Sequence, residues 1–183
     1  PRFADAELAA TARARGPAAV LAQGWRRLGG QLPLHVQGNF AFAVLEPTTG
    51  RAFLALDRIG AERLCYAQHG GQFVFGSSVQ SVAAHPAVGR GIDPQAIYDY
   101  LYFHTIPAPR SLYRGVMKLL PGQYAHLENG QLETGFYWHA DYAPAVPDYA
   151  ALCADFRARL DAAVRDADAP GTAAFLSGGT DSS

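Results

Sequence analysis

The spacing of apolar and polar positions divides the chain into a mixed series of helices and strands. Residues 7–15 and 17–28 have helical composition, broken at Gly16-Pro17. In the second stretch Val20, Leu21, Trp25 and Leu28 form an apolar stripe with Arg26 and Arg27 outside it, and Gly29-Gly30 ends it. Residues 37–46 (QGNFAFAVLE) alternate as a strand, with Phe40, Phe42 and Val44 on one side and Ala41, Ala43 and Leu45 on the other. Both sides are apolar, so this strand is expected to be covered on both faces. A turn at 47–50 returns the chain as a second strand, 51–57; the pair is expected to be central, with Phe40, Phe42 and Leu54 buried. Shorter strands are predicted near 63–67 and 72–76.

Further along, residues 77–84 predict a short helix and Asp93-Pro94 opens another, 94–103. Ile106-Pro107-Ala108-Pro109 must be extended. Strands 123–128 and 131–138 flank Asn129-Gly130, the strongest hairpin signal in the chain. Residues 143–148 have the composition of a linker. A helix follows over 148–167, with Tyr149, Leu152, Phe156, Leu160 and Val164 as its stripe. Residues 172–176 predict a buried strand that runs directly into Ser177-Gly178-Gly179-Thr180-Asp181-Ser182-Ser183. The predicted organisation is a helix-and-sheet domain over 1–142, then the start of an α/β domain over 143–183.

Composition narrows the function classes. With 49% hydrophobic residues among 183, the chain has material for a core and is not generally disordered. A formal charge of −1 offers no basic surface for nucleic acid. Fourteen of the fifteen basic residues are Arg, which reads as compositional bias. Cys65 and Cys153 suit small buried hydrophobes better than a disulfide framework. No apolar run reaches membrane-span length and no secretory leader opens the chain, so a cytoplasmic location and no membrane partner are expected. The six histidines show no metal spacing, and His104 reads as a satisfied core histidine. Asp57-Arg58 reads as a structural ion pair, and Tyr98, Tyr100, Tyr102 and Phe103 as core and domain-interface packing. A start at Pro1 and a stop just after a glycine-rich turn point to a piece of a longer protein.

The segment with the clearest chemistry is 175–182. Two glycines after a buried strand let the backbone turn tightly, so that successive N–H groups point into one concavity suited to phosphate oxygens. Ser177 and Ser182 add hydroxyl donors. Asp181 would repel phosphate unless it caps a helix or helps to hold Mg²⁺ against it.

Leu176-Ser177-Gly178-Gly179-Thr180-Asp181-Ser182-Ser183 resembles the pyrophosphate loop (PP-loop) of ATP pyrophosphatases, in the form used by asparagine synthetase-type amidotransferases. Upstream, Gln37 to Ala43 is similar to the family's G-x-F-A-F strand, Leu56 to Tyr66 to its R-D-x-x-G-x-x-P-L-Y-Y segment, and Phe75-Gly76-Ser77-Ser78 to its F-x-S-E turn. Tyr102 to Pro109 and Gly115 to Gly122 fit the stretch that closes its glutaminase domain. The segments occur in order over nearly the whole chain.

The resemblance implies an α+β fold: a partial αββα sandwich of the N-terminal-nucleophile hydrolase type, then the first helix and strand of a PP-loop domain. It implies ATP and Mg²⁺ as cofactors of the full-length parent. Phe175, Leu176, Ser177, Gly178, Gly179, Asp181 and Ser182 would bind ATP or pyrophosphate, and Asp181 is the candidate Mg²⁺ ligand. The substrates would be ATP, an amino acid or related carboxylate, and glutamine, with a homodimer admitted. Glutamine would supply ammonia to an aspartyl-adenylate, giving asparagine. The family's nucleophile is a cysteine at residue one, with its α-amine as base; Pro1 stands there and Cys65 lies in a predicted strand, so no catalytic residue is expected in this chain. A count back from Phe40 puts the family's glutamine-contacting Asp at Pro17. Leu56, Arg63 and Cys65 replace the usual Arg, Pro and Tyr. These departures leave two alternatives: a β-lactam synthetase-like or peptide-cyclase-like adenylating ligase with an inactive glutaminase domain, and a non-catalytic scaffold.

Overall fold

A computed structural model of the chain describes residues 2–142, 148–173 and 178–179. It divides into two compact units, Pro1–Ala140 and Asp141–Ser183.

The first unit begins with a two-residue strand, β1 (Arg2–Phe3), and a broken helix, α1 (Ala6–Leu28). Asp5 caps α1, its Oδ1 accepting from the amides of Glu7 and Leu8, both at 3.0 Å. At Gly16 the backbone takes φ 80° and ψ 174°, a conformation that favours glycine, and helical geometry is lost. Pro17 starts the second arm, where a missing N–H costs little. The arms fold back on each other. Thr11 donates to Gln23 and Gln23 to Glu7, both at 2.8 Å, and Arg27 reaches Glu7 and Asp5. Side chains up to 22 residues apart meet only because the break reverses the chain direction. The predicted break at Gly16-Pro17 is therefore observed, as a helical hairpin. A 3₁₀ segment, Gly29–His35, then leads to β2 (Val36–Gln37), which pairs with β1.

Two antiparallel sheets make the middle of this unit. One joins β3 (Ala41–Glu46), β4 (Arg51–Leu56), β8 (Gln123–Glu128) and β9 (Gln131–Phe136), in that order. The other joins β6 (Gln72–Gly76), β5 (Cys65–His69) and β7 (Met117–Lys118). The period of two along β4 sends Phe53 and Ala55 to one core with Phe40, Phe42, Leu8 and Val20 of the hairpin side. It sends Ala52, Leu54 and Leu56 to a second core with Leu64, Tyr66 and Leu119, between the two sheets. On the far side of β5, Cys65 and Ala67 pack with Val82 and Ala83 of the short helix α2 (Val79–Ala83). The result is a mixed α/β architecture with helix, sheet, sheet and helix in contact through three apolar cores.

Several expectations need correction. Phe40, Phe42 and Leu54 are buried as expected, but of the expected central pair β4 alone is internal; β3 is the edge of its sheet. Ala41 and Leu45 are exposed, because no element covers that part of the edge strand. The predicted strand 37–46 is interrupted over Gly38-Asn39-Phe40, between β2 and β3. Helix α3 (Pro94–Phe103) has the predicted bounds, with the Asp93 carboxylate capping it by accepting from the Gln95 amide. Its aromatic residues are not core, however: Tyr98, Tyr100, Tyr102 and Phe103 are 55–69% exposed. Three of them contact each other instead: Tyr98 stacks on Tyr102 at 6.5 Å between ring centroids, and Phe103 meets Tyr102 edge-on at 4.8 Å. His104 is exposed and ends α3 with φ 56°, so it is no core histidine.

In the second unit α4 (Tyr149–Ala167) starts at its cap Asp148, which accepts from the Ala151 amide at 3.2 Å. Arg159–Asp155 and Arg165–Asp161 are ion pairs one turn apart. Of the strand predicted at 172–176, residues 174–176 lie outside the described residues. No helix among the described residues is long and apolar enough to cross a membrane.

Candidate functional site

Of the seven residues predicted to bind ATP or pyrophosphate, Gly178 and Gly179 are described, in a bend. Phe175, Leu176, Ser177, Asp181 and Ser182 lie outside the described residues. Among the described residues no cluster of three or more His, Cys, Asp or Glu side chains is placed to hold a metal ion.

Pro17, the other predicted site position, lies at the start of the second arm of α1 on the wall of a cavity of about 270 Å³. Phe3, Leu21, Val36 and Phe40 supply the apolar part of that wall, and Asn39 and Glu62 are its polar side chains. The cavity is large enough for an amino acid, and its amide and carboxylate are the groups an amino acid's polar end would meet.

Behind this wall the turn after β4 is held by Asp57, which is only 1% exposed. Its Oδ1 accepts from the amides of Ile59 and Ala61 at 3.1 and 3.0 Å, and its Oδ2 from that of Glu62 at 3.0 Å. Burial pushes the Asp57 carboxyl up, but these amides outweigh it and hold the group below the usual carboxylate range. The expected Asp57–Arg58 ion pair does not form. Arg58 instead turns to the Leu34 carbonyl at 3.3 Å, because the carboxylate is already occupied by its own turn. Through this turn Asp57 fixes where Glu62 enters the cavity wall, a role that adjacency to Arg58 concealed. The Asp57 carbonyl accepts from the Gly122 amide at 2.8 Å, and the Gly122 carbonyl in turn accepts from Tyr137 and Trp138. Gly122 has φ 69°, and a side chain there would run into the Trp138 carbonyl. The Tyr137 hydroxyl donates to the Leu56 carbonyl at 2.6 Å, and burial pushes it up to about 12. Turn, closing segment and cavity wall are one connected unit.

The two cysteines differ. Cys65 is buried in β5, and burial raises its thiol above the ordinary range, which suits packing rather than nucleophilic attack. Cys153 is half-buried on α4.

Residues 4–138, the stretch that holds both sheets, α1 and the Asp57 turn, match the glutamine amidotransferase domain. The chain belongs to that family. Among curated relatives, "Asparagine synthetase [glutamine-hydrolyzing] 3" of Bacillus subtilis is 28% identical over 153 residues, 81% of this chain and 25% of the relative. "Putative asparagine synthetase [glutamine-hydrolyzing] 2" of Methanocaldococcus jannaschii is 29% identical over 167 residues, 87% of this chain and 32% of the relative. "Amidase chry2" of Gibberella zeae is 29% identical over 158 residues, 81% of this chain and 23% of the relative. The chain thus spans about a quarter to a third of the length of these relatives. The likeness to the asparagine synthetases covers more of the chain than the span 4–138, so it continues past the amidotransferase domain.

Proposed function

We propose that this chain is part of an asparagine synthetase-like, ATP-dependent amidotransferase. Residues 1–142 form the later part of an N-terminal-nucleophile-type αββα glutaminase sandwich, and 143–183 open a PP-loop domain. The observation that carries this reading is the layer order of α1, four-stranded sheet, three-stranded sheet and α2 within the stretch that matches the amidotransferase domain. The continued likeness beyond 138 supports the second half. In this reading glutamine yields ammonia, ATP converts the aspartate carboxylate into an acyl donor, and ammonia displaces AMP. Ser177, Gly178, Gly179, Asp181 and Ser182 hold the pyrophosphate with Mg²⁺ near Asp181, and Phe175 and Leu176 border the nucleotide. Their role is to stabilise charge on the departing pyrophosphate.

Two assays test this. Aspartate-dependent ATP–pyrophosphate exchange by the full-length protein is expected, and Asp181→Ala lowers it about 100-fold with an unchanged melting temperature. Undiminished exchange in that variant refutes the metal role. Exchange with other carboxylic acids but not aspartate would favour a β-lactam synthetase-like or peptide-cyclase-like ligase, and no nucleotide binding would favour a scaffold. The purified chain itself is expected to release no glutamate from glutamine, and release above a heat-treated control overturns that.

A further inference from the structure

A further cavity of the first unit has no part in the reading above. It measures about 580 Å³, within the size range of small-molecule sites, and extends from the start of β5 to the segment 105–113. Its lining includes both Arg63 and Lys118. Lys118 is the only lysine in a chain whose other fourteen basic residues are arginines. It stands on β7 directly opposite Cys65, and its ammonium donates to the Ile106 carbonyl, which engages one of three N–H groups.

Among the described residues neither cation has a counter-ion. Arg27, Arg51, Arg110, Arg159 and Arg165 each pair with a carboxylate. Among the described residues no carboxylate lies within ion-pair distance of Lys118 or Arg63, and Glu62, the one carboxylate on the lining, pairs with neither. Burial lowers the Lys118 pKa; the facing Cys65 opposes this in part, and the nearby Arg63 charge adds to it. A partly buried ammonium beside a second cation is electrostatically under-compensated, and an anion between them relieves both. The rest of the wall is mixed: Ser77, Ser78, Gln80, Thr105 and Ser111 supply neutral polar groups, and apolar side chains offer a surface that a bare inorganic ion would leave unused. Leu56, Leu64, Ile106 and Leu119 give it a broad apolar side.

We propose that this cavity binds a small organic monocarboxylate, its carboxylate between Lys118 and Arg63 and its hydrocarbon part against Leu64, Ile106 and Leu119. The site uses none of the PP-loop residues, so it stands or falls apart from the proposed ligase activity.

Titration of the purified chain with hexanoate, followed by calorimetry or NMR, tests it. Saturable millimolar binding is expected, with hexanol and inorganic phosphate each at least about tenfold weaker. Hexanol lacks the charge and phosphate lacks the stem. Lys118→Met should weaken hexanoate at least about tenfold, while Lys118→Arg stays within about threefold of wild type. Should Lys118→Met melt early, Arg63→Met, at an exposed position, makes the same test. No saturable hexanoate binding overturns the proposal. So does equal affinity for hexanol or phosphate, or unchanged affinity in folded variants of both cations.

Discussion

Helices α1 and α4 carry the same kind of apolar stripe and meet different fates. Along the second arm of α1, Val20 is fully buried, and Leu21, Trp25 and Leu28 pack against the first core. Along α4, Tyr149, Leu152, Phe156, Leu160 and Val164 are 50–79% exposed. Both helices have a side-chain cap, and α4 adds two ion pairs one turn apart. The 3.6-residue period therefore identifies a helix and the face it would bury. It does not reveal what covers that face, which depends on segments far away in sequence: for α1 these are the 3₁₀ segment, β2 and β4.

If burial is what separates the two regions, substitutions should separate them in the same order. The largest effect is expected at Leu54, fully buried between the sheets. Leu54→Ala should cost about 2–5 kcal/mol in denaturant unfolding of the first unit. A loss below 1 kcal/mol would show that the two sheets are not packed as described.

Asp57→Asn comes next, at about 1–3 kcal/mol, because one oxygen's set of backbone amides loses its acceptor. It also has a pH signature. A carboxyl held below its usual range stabilises the fold fully above the unfolded value, about 3.9. That contribution is lost as pH falls through the lower folded-state value. Wild type should therefore lose stability below about pH 4 more steeply than Asp57→Asn. Parallel pH profiles would remove Asp57 as the organiser of its turn.

The smallest effect is expected on α4. Leu160→Ser should change the melting transition by no more than about 0.5 kcal/mol, since the side chain is 53% exposed. A loss approaching that of Leu54→Ala would mean the stripe of α4 is covered in solution, and the comparison would collapse.

Legibility in the sequence follows the same division between local and distant causes. Helix α3 has its predicted bounds because Asp93-Pro94 sets its start through one cap and one fixed φ. The β8–β9 hairpin turns where Asn129-Gly130 predicts it, with φ 52° and 76°, the two positive angles that such a turn needs. Strand β4 was legible as the return strand after the turn at 47–50. The edge position of β3 was not, because Phe40-Ala41-Phe42-Ala43 looks alike at an edge or a centre, and only β8 pairing with β4 decides it. Likewise the cluster Tyr98 to Phe103 has core composition on an exposed helix, and Asp57 bonds amides that its sequence neighbour hides. The PP-loop string was readable as chemistry, but five of its seven predicted residues fall outside the described ones. The Lys118 cavity draws on separate segments between 56 and 121, so no single stretch announces it.

The break at Gly16 also governs where the chain re-enters the fold. Because α1 doubles back, residues 3 and 36 end as neighbours across β1 and β2, and Arg27 clasps Asp5 and Glu7 at the mouth of the loop so formed. More than thirty residues leave the sheet and return to nearly the same point. Such a closed excursion can lengthen or shorten with little penalty, since the cost of closing a loop grows only with the logarithm of its length. Position within it is therefore set by arm and turn rather than by distance from Phe40, and relatives can differ there in length while keeping the same sheets.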